Sequence, residues 1–198
     1  WTELLDDVER RHGRIDLLVN AAGIERRRGI RTVEWADVTD TMAVNFAAAA
    51  RSTIAVLPGM LERGHGAVVN ISSDHGRAPG PGTPAYCASK AALSAFTESV
   101  AHEVAGTGVH VHVLYPGWVP TPLGQGAVDQ GMPMPPRAVR RREEDVVRQT
   151  LEQIGRAGFE INAARVATLA PVVRALLPSV YRRSMRRVAG GGTGRPAG

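Results

Sequence analysis

Apolar and polar positions along the chain fall into segments of two spacings, and their succession predicts strands alternating with helices. Thr2 to His12 places Leu4, Leu5 and Val8 on one helical face, with acids early and Gly13 as the stop. The run from Ile15 to Val19 reads as a buried strand, ended by Asn20-Ala21-Ala22-Gly23. After a polar, arginine-rich loop to about Arg31, a helical period spans Val33 to Arg63, with a break expected near Pro58-Gly59. Gly64-His65-Gly66 turns the chain into a second buried strand, Ala67 to Ile71, which ends in Ser72-Ser73. A loop rich in glycine and proline, Asp74 to Gly82, leads to Thr83 as N-cap and Pro84 as first residue of a helix reaching about Ala105.

Val109 to Tyr115 is a third strand, closed by Pro116-Gly117. Pro120 to Pro136 reads as a proline-rich loop, Glu143 to Gly155 as a helix, and Phe159-Glu160-Ile161 as the nearest candidate for a last strand. Ala163 to Leu177 is apolar and helical in period, ending at Pro178, and residues 189–198 read as a flexible tail. Strands separated by helices imply βαβ units. The expected architecture is therefore an α/β domain over residues 1–188, with a parallel sheet covered on both faces.

Composition narrows the function classes. Of 198 residues, 43% are apolar and 22% charged, which suits a globular domain with a real core. A net charge of +5 invites a nucleic-acid reading. However, the basic residues form short runs, Arg26 to Arg28, Arg140 to Arg142, and Arg182-Arg183 with Arg186-Arg187, without interleaved aromatics. A solvated surface is the expectation, and no nucleic-acid partner. No apolar run reaches the ~18 residues of a transmembrane span. The stretch from Ala163 to Val188, apolar and then basic, leaves three alternatives open: a membrane-surface segment, a helix over the substrate pocket, or a subunit contact. Cys87, the lone cysteine, forms no internal disulfide, which fits a reducing, cytoplasmic setting. His65, His75, His102, His110 and His112 lack carboxylate or cysteine partners at ligand spacing, so no metal is expected.

One lysine stands among 24 basic residues. Lys90 lies four residues after Tyr86, so on a helix the two share a face, with Cβ atoms about 5–6 Å apart. An ammonium there can stabilise a phenolate and lower the tyrosine pKa. In a doubly wound sheet, ligands bind beyond the carboxyl ends of the strands. Those ends are Asn20 to Gly23, Ser72-Ser73 and Pro116-Gly117, beside the Tyr86 helix. A hydroxyl (Ser73), a phenol (Tyr86), an ammonium (Lys90) and an amide (Asn45) suit proton transfer at a substrate oxygen. None of them is an electron sink, so redox chemistry needs an external cofactor.

Asn20-Ala21-Ala22-Gly23 after a strand, Asn45 in the next helix, Val68-Val69-Asn70-Ile71-Ser72-Ser73, Tyr86-Cys87-Ala88-Ser89-Lys90 and Tyr115-Pro116-Gly117-Trp118-Val119-Pro120-Thr121 together resemble the short-chain dehydrogenase/reductase family. The resemblance covers about Trp1 to Leu123. It implies part of a Rossmann-type, doubly wound sheet, lacking the first βαβαβ portion, and an NAD- or NADP-dependent enzyme interconverting an alcohol and a carbonyl, commonly as a homodimer or homotetramer. It implies that Tyr86 is the acid/base, that Ser73 holds the substrate oxygen, and that Lys90 binds the ribose and depresses the Tyr86 pKa. Asn45 would hold a relaying water. Asn20, Ala21, Ala22 and Gly23 would line the adenosine side, and Pro116, Gly117, Val119 and Thr121 would bracket the nicotinamide. Asp74 and Trp118 would face substrate, and residues from about 118 to 188 would supply the substrate lid and oligomer segments.

The family's glycine-rich turn belongs ahead of Trp1, so the strand Ile15 to Val19 is expected to present an apolar edge. Two expectations follow from the missing turn. The chain is part of a longer enzyme, or it is a shortened form that no longer binds cofactor and serves as a binding or membrane-surface protein.

Overall fold

Alternating branched residues place their side chains on both faces of four parallel strands, ordered β1-β2-β3-β4. They are β1 (Leu17–Asn20), β2 (Gly66–Ile71), β3 (Val109–Tyr115) and β4 (Glu160–Asn162). Leu17 pairs with Ala67, Val69 with His112, and Leu114 with Ile161. The structure, a computed structural model, describes residues 2–132, 134–156 and 158–191.

Helices α1 (Thr2–His12), α3 (Ala48–Glu62) and α5 (Pro84–Glu103) cover one face of the sheet, around Ile15, Val56, Met60, Val68 and Val111. Helix α7 (Glu143–Gln153) covers the other, around Val69, Leu114, Val146 and Ile161. Val68 and Val69 are neighbours in sequence, yet neither is exposed, because β2 is buried on both faces. Each such side chain contributes about 1.5–3 kcal/mol by leaving water. The expected α/β fold with a parallel, Rossmann-type sheet is thus observed.

β1 is less buried than its run of apolar residues predicts and presents the expected apolar edge: Leu17 and Val19 are 41% and 48% exposed. Among the described residues it pairs with β2 alone, so one edge and much of one face stay open.

The helix that leads out of β1's loop also differs from expectation. α2 (Trp35–Met42), a π-turn at Ala43–Ala47 and α3 run as one helix, and Pro58 lies inside α3 without breaking it. Val56 and Met60 on either side of the proline are buried against the sheet, and their packing outweighs the lost backbone hydrogen bond. The irregularity falls instead at the π-turn, around Asn45, and such turns mark functional positions. This 28-residue segment is long and apolar enough to cross a bilayer. Its Ala49, Thr53, Val56 and Met60 are built into the core, which accounts for that composition.

The two loops expected without structure contain helices, α4 (Asp74–Arg77) and α6 (Pro122–Asp129), and a 3-10 turn at Arg137–Val139 follows the second. The apolar segment after β4 divides into a 3-10 turn (Arg165–Thr168) and α8 (Leu169–Leu176). Pro178 ends α8 and also opens a further helix, α9 (Pro178–Gly191), because proline's fixed φ suits a first helical turn. The expected tail at residues 189–191 is therefore helical, and 192–198 lie outside the described residues.

Candidate active site

The carboxyl ends of β1, β2 and β3 open into a cleft of about 860 Å³, roofed by α6 and by the 3-10 turn before α8. Tyr86 reaches it because Pro84 opens α5 two residues earlier, placing the phenol in the first turn. Thr83 flanks that turn through its backbone: its carbonyl accepts from Cys87 N at 3.0 Å, and its hydroxyl makes no cap. Lys90 lies one helical turn on and lines the same cleft, as the four-residue spacing requires. Ser73 follows β2 and caps α4, its Oγ accepting from His75 N at 3.2 Å.

α4 sits directly against α5 because of Gly76. A Cβ there would come within 2.8 Å of the Lys90 carbonyl, so any side chain would push the Ser73 loop off α5. Gly117 does similar work after β3. Its φ is +74°, and a Cβ there would stand 2.7 Å from Ala164 Cβ and from the Val139 carbonyl, which leaves room for no side chain.

Of the residues expected beside the cofactor, Ala21, Gly23, Pro116, Gly117, Val119 and Thr121 line the cleft. Asn20 and Ala22 do not. Asn20 instead donates to Asn70 Oδ1 at 2.8 Å and accepts from Ser52 at 2.8 Å, tying β1 to β2 and α3. Asn45 is also absent from the cleft surface. Its amide donates to the Ile24 carbonyl at 2.9 Å and to Ser89 Oγ at 3.0 Å, and its oxygen accepts from Ile24 N at 2.8 Å. The side chain thus pins the Gly23–Ile24 segment onto α5.

Asp74 and Trp118 both line the cleft. Asp74 is held by Arg77 at 2.6 Å, and Arg77 in turn pairs with Glu160 at 3.2 Å and stacks over Tyr115 at 3.5 Å. Trp118 Nε1 donates to the Gly124 carbonyl at 3.3 Å, fixing the start of α6. Ser72 is structural, bonded to the Lys90 carbonyl at 3.0 Å.

Electrostatics correct one expectation. Burial pushes the Tyr86 phenol up to about 12; the Ser73 hydroxyl pulls it down by less, and the carboxylates of Glu25 and Asp74 push the same way as burial. Burial also lowers Lys90, to about 8. The ammonium that was to depress the phenol lies 6.0 Å from the centre of its ring and donates to the Ile71 carbonyl at 2.7 Å. Desolvation of a buried phenol outweighs a charge at that distance.

Two residues of the cleft carry little sequence signal. Glu25 precedes three arginines and reads as solvated, yet its side chain is only 8% exposed, pairs with Arg27 at 3.0 Å and lines the cleft. His75 packs edge-on against Tyr86, ring centres 6.1 Å apart, with its Nδ1 buried and unpartnered. Burial lowers its pKa, so the ring is neutral at pH 7.

A nicotinamide ribose fits the donors present. Among the described residues the Ile71 carbonyl is the sole partner of Lys90 Nζ, which leaves two N–H groups for hydroxyls. Beside it, Gly23 keeps the space open, since a Cβ there would stand 3.6 Å from Nζ.

Comparison with known proteins agrees with this arrangement. The family described as short chain dehydrogenase matches residues 1–131. A zebrafish (Danio rerio) protein named dehydrogenase/reductase SDR family member 7B is 32% identical over 195 residues, covering 96% of this chain and 63% of that protein. A 3-oxoacyl-acyl-carrier-protein reductase of Haemophilus influenzae is 34% identical over 127 residues, covering 64% of this chain and 52% of its own length. The chain thus spans between about half and two thirds of these relatives. A solved short-chain dehydrogenase from Streptomyces avermitilis superposes with a TM-score of 0.75 at 27% identity, over 96% of this chain and 75% of that one. The serine, tyrosine and lysine meeting at the strand ends, and matches that extend over most of the sequence, lead to one conclusion: the chain belongs to the short-chain dehydrogenase family.

Proposed function

We propose that this chain carries the catalytic part of an NAD- or NADP-dependent oxidoreductase that interconverts an alcohol and a carbonyl. The observation that carries the reading is a single cleft lined by Ser73, Tyr86 and Lys90, with the Lys90 ammonium buried and only partly hydrogen-bonded. A bound nicotinamide would supply or accept the hydride at the substrate carbon. Everything else is done by the chain. Ser73 Oγ donates to the substrate oxygen and fixes its position. Tyr86 Oη donates its proton to that oxygen as the carbonyl becomes an alcohol. With its pKa near 12 the phenol enters protonated at neutral pH, which favours the reducing direction. Lys90, with its pKa near 8, is largely charged at pH 7, binds the ribose hydroxyls and faces the phenolate left behind. Asn45 keeps the Gly23–Ile24 segment against α5, so that Gly23 stays clear of Lys90.

Beside Glu25, Asp74, His75 and Glu143, the cleft has an apolar side through Ile71, Leu114, Val119, Leu123, Met132 and Val146, which supports an apolar group on the substrate. The Haemophilus relative's name specifies such a substrate for that protein, a 3-oxoacyl chain. The test is titration with NADH and NADPH followed by turnover on a panel of ketones. Tyr86→Phe is expected to retain cofactor binding and lose turnover. Turnover unchanged in that variant would overturn the assignment of the acid.

A further inference from the structure

The three arginine runs have different surroundings. Arg26 pairs with Asp37 and Asp40, Arg27 with Glu25, and Arg28 with Glu34 and Asp37. In the second run, Arg140 and Arg141 donate to backbone carbonyls, and Arg142 pairs with Glu144. The third run is different. Arg182, Arg183, Arg186 and Arg187 are all exposed, and among the described residues none lies within ion-pair distance of a carboxylate. No acid follows Glu160 anywhere in the sequence, whereas seven arginines do. Since the whole chain is +5, residues 1–160 taken alone are net −2, and the entire positive excess sits after β4.

The same region bears an unpartnered apolar stripe. Leu169, Val172 and Leu176 recur at positions i, i+3 and i+7, on one face of α8. Leu177 and Val180 continue it across the junction into α9, and all five are at least half exposed. On α9, Val180, Ser184 and Val188 follow one line; Arg187, seven residues after Val180, and Arg183 flank that line, while Arg182 and Arg186 lie on the far side. Polar contacts fix both helices beside the cleft. Arg174 donates to the Arg77 carbonyl at 2.7 Å, and Tyr181 Oη to the Pro79 carbonyl at 2.7 Å.

We propose that α8 and α9 form a docking surface for an anionic phospholipid bilayer, with the apolar stripe entering the headgroup boundary and the flanking Arg183 and Arg187 binding lipid phosphates. Charge selects this occupant. A second copy of the chain would bring the same unpaired arginines against each other. A nucleic acid would leave five aliphatic side chains uncovered, and the one aromatic present, Tyr181, already uses its hydroxyl on Pro79. A basic, amphipathic helix pair with an exposed aliphatic face suits a lipid surface. Docking there sets the mouth of the cleft beside the headgroups, since Val166, Ala167 and Ala170 line the cleft from the same segment.

The test is flotation of the 198-residue chain with phosphatidylcholine vesicles, with and without phosphatidylglycerol. Binding is expected only with the anionic lipid and should fall as salt rises. Each arginine near such a surface contributes about fivefold in affinity, so Arg183→Ala with Arg187→Ala should weaken binding about 25-fold. Leu176→Ser with Leu177→Ser should weaken it independently of salt. Both pairs are exposed, and unchanged circular dichroism of the variants checks that the fold is intact. Flotation requires no turnover, so the outcome stands whatever the enzyme assays give. Equal binding to neutral vesicles, no binding to either, undiminished binding of the arginine variant, or equally tight capture of an oligonucleotide would each overturn the proposal.

Discussion

Helices α5 and α9 begin alike and end in opposite environments. Each opens on a proline, Pro84 and Pro178, and each carries a tyrosine in its first turn, Tyr86 and Tyr181. α5 lies between sheet, α4 and the α2–α3 helix, and buries Tyr86, Ser89, Lys90 and Leu93. Its one cation is a lysine, enclosed and lowered to about 8. α9 touches the body through Tyr181 and Met185 and exposes four arginines. The same opening signal therefore yields a buried, cleft-lining helix in one place and a surface helix in the other. What differs is how many sides are covered. A cation enclosed by protein has its chemistry changed by desolvation, whereas one in water keeps its charge and can act only through it.

If α5 owes its chemistry to enclosure, its substitutions should act on rate and on pH dependence. Tyr86→Phe should lower turnover by about 10²–10⁴-fold at constant cofactor affinity, read by steady-state kinetics and nicotinamide fluorescence. A tenfold loss or less would place the proton donor elsewhere.

Stability against pH sharpens the contrast. Lys90 has a folded pKa of about 8, below its unfolded value, so between pH 8 and 10 the unfolded chain holds the extra proton. Stability should rise over that window, by about 3 kcal/mol if the shift is fully expressed. Tyr86 has the opposite sign: its folded pKa of about 12 lies above the unfolded value, so stability should fall from pH 10 towards 12. Denaturant melts across this range should show a maximum near pH 10. Lys90→Met should flatten the rising limb, and a limb that persists in that variant would mean another group causes it.

Gly76→Val should cost about 1–3 kcal/mol, because its side chain meets the Lys90 backbone, and should lower turnover by displacing the Ser73 loop. An unchanged melting temperature would show that α4 is not wedged against α5 as described. The smallest effect belongs to α9's side of the comparison. Leu176→Ser should shift stability by no more than about 0.5 kcal/mol, since the side chain is 74% exposed; a larger loss would mean that α8 is packed against the body after all.

Much of the fold was legible because its signals are local. The third strand, Val109–Tyr115, matches the expected limits, and Pro84 opens α5 where the sequence places it. Ser73, Tyr86 and Lys90 meet at one cleft, as strand ends and a four-residue spacing require. Legibility stopped where a residue's surroundings come from distant segments. Glu25 reads as a solvated acid until Arg27 and the cleft enclose it. Asn45 gave no hint that its whole amide would be spent on Ile24 and Ser89. Pro58 reads as a helix break until Val56 and Met60 are seen packed on either side.

The amino-acid sequence by itself determined the βαβ order, the family, and which side chains could move a proton. Those depend on period, capping and spacing, which act over a few residues. Only the tertiary structure decided the state of those side chains and the partners of each charge. It raised the Tyr86 phenol instead of lowering it, held the Lys90 ammonium on Ile71, paired the first arginine run with carboxylates, tied most of the second to backbone carbonyls and left the third in water. Desolvation and ion pairing depend on what lies across space, and no local pattern encodes that.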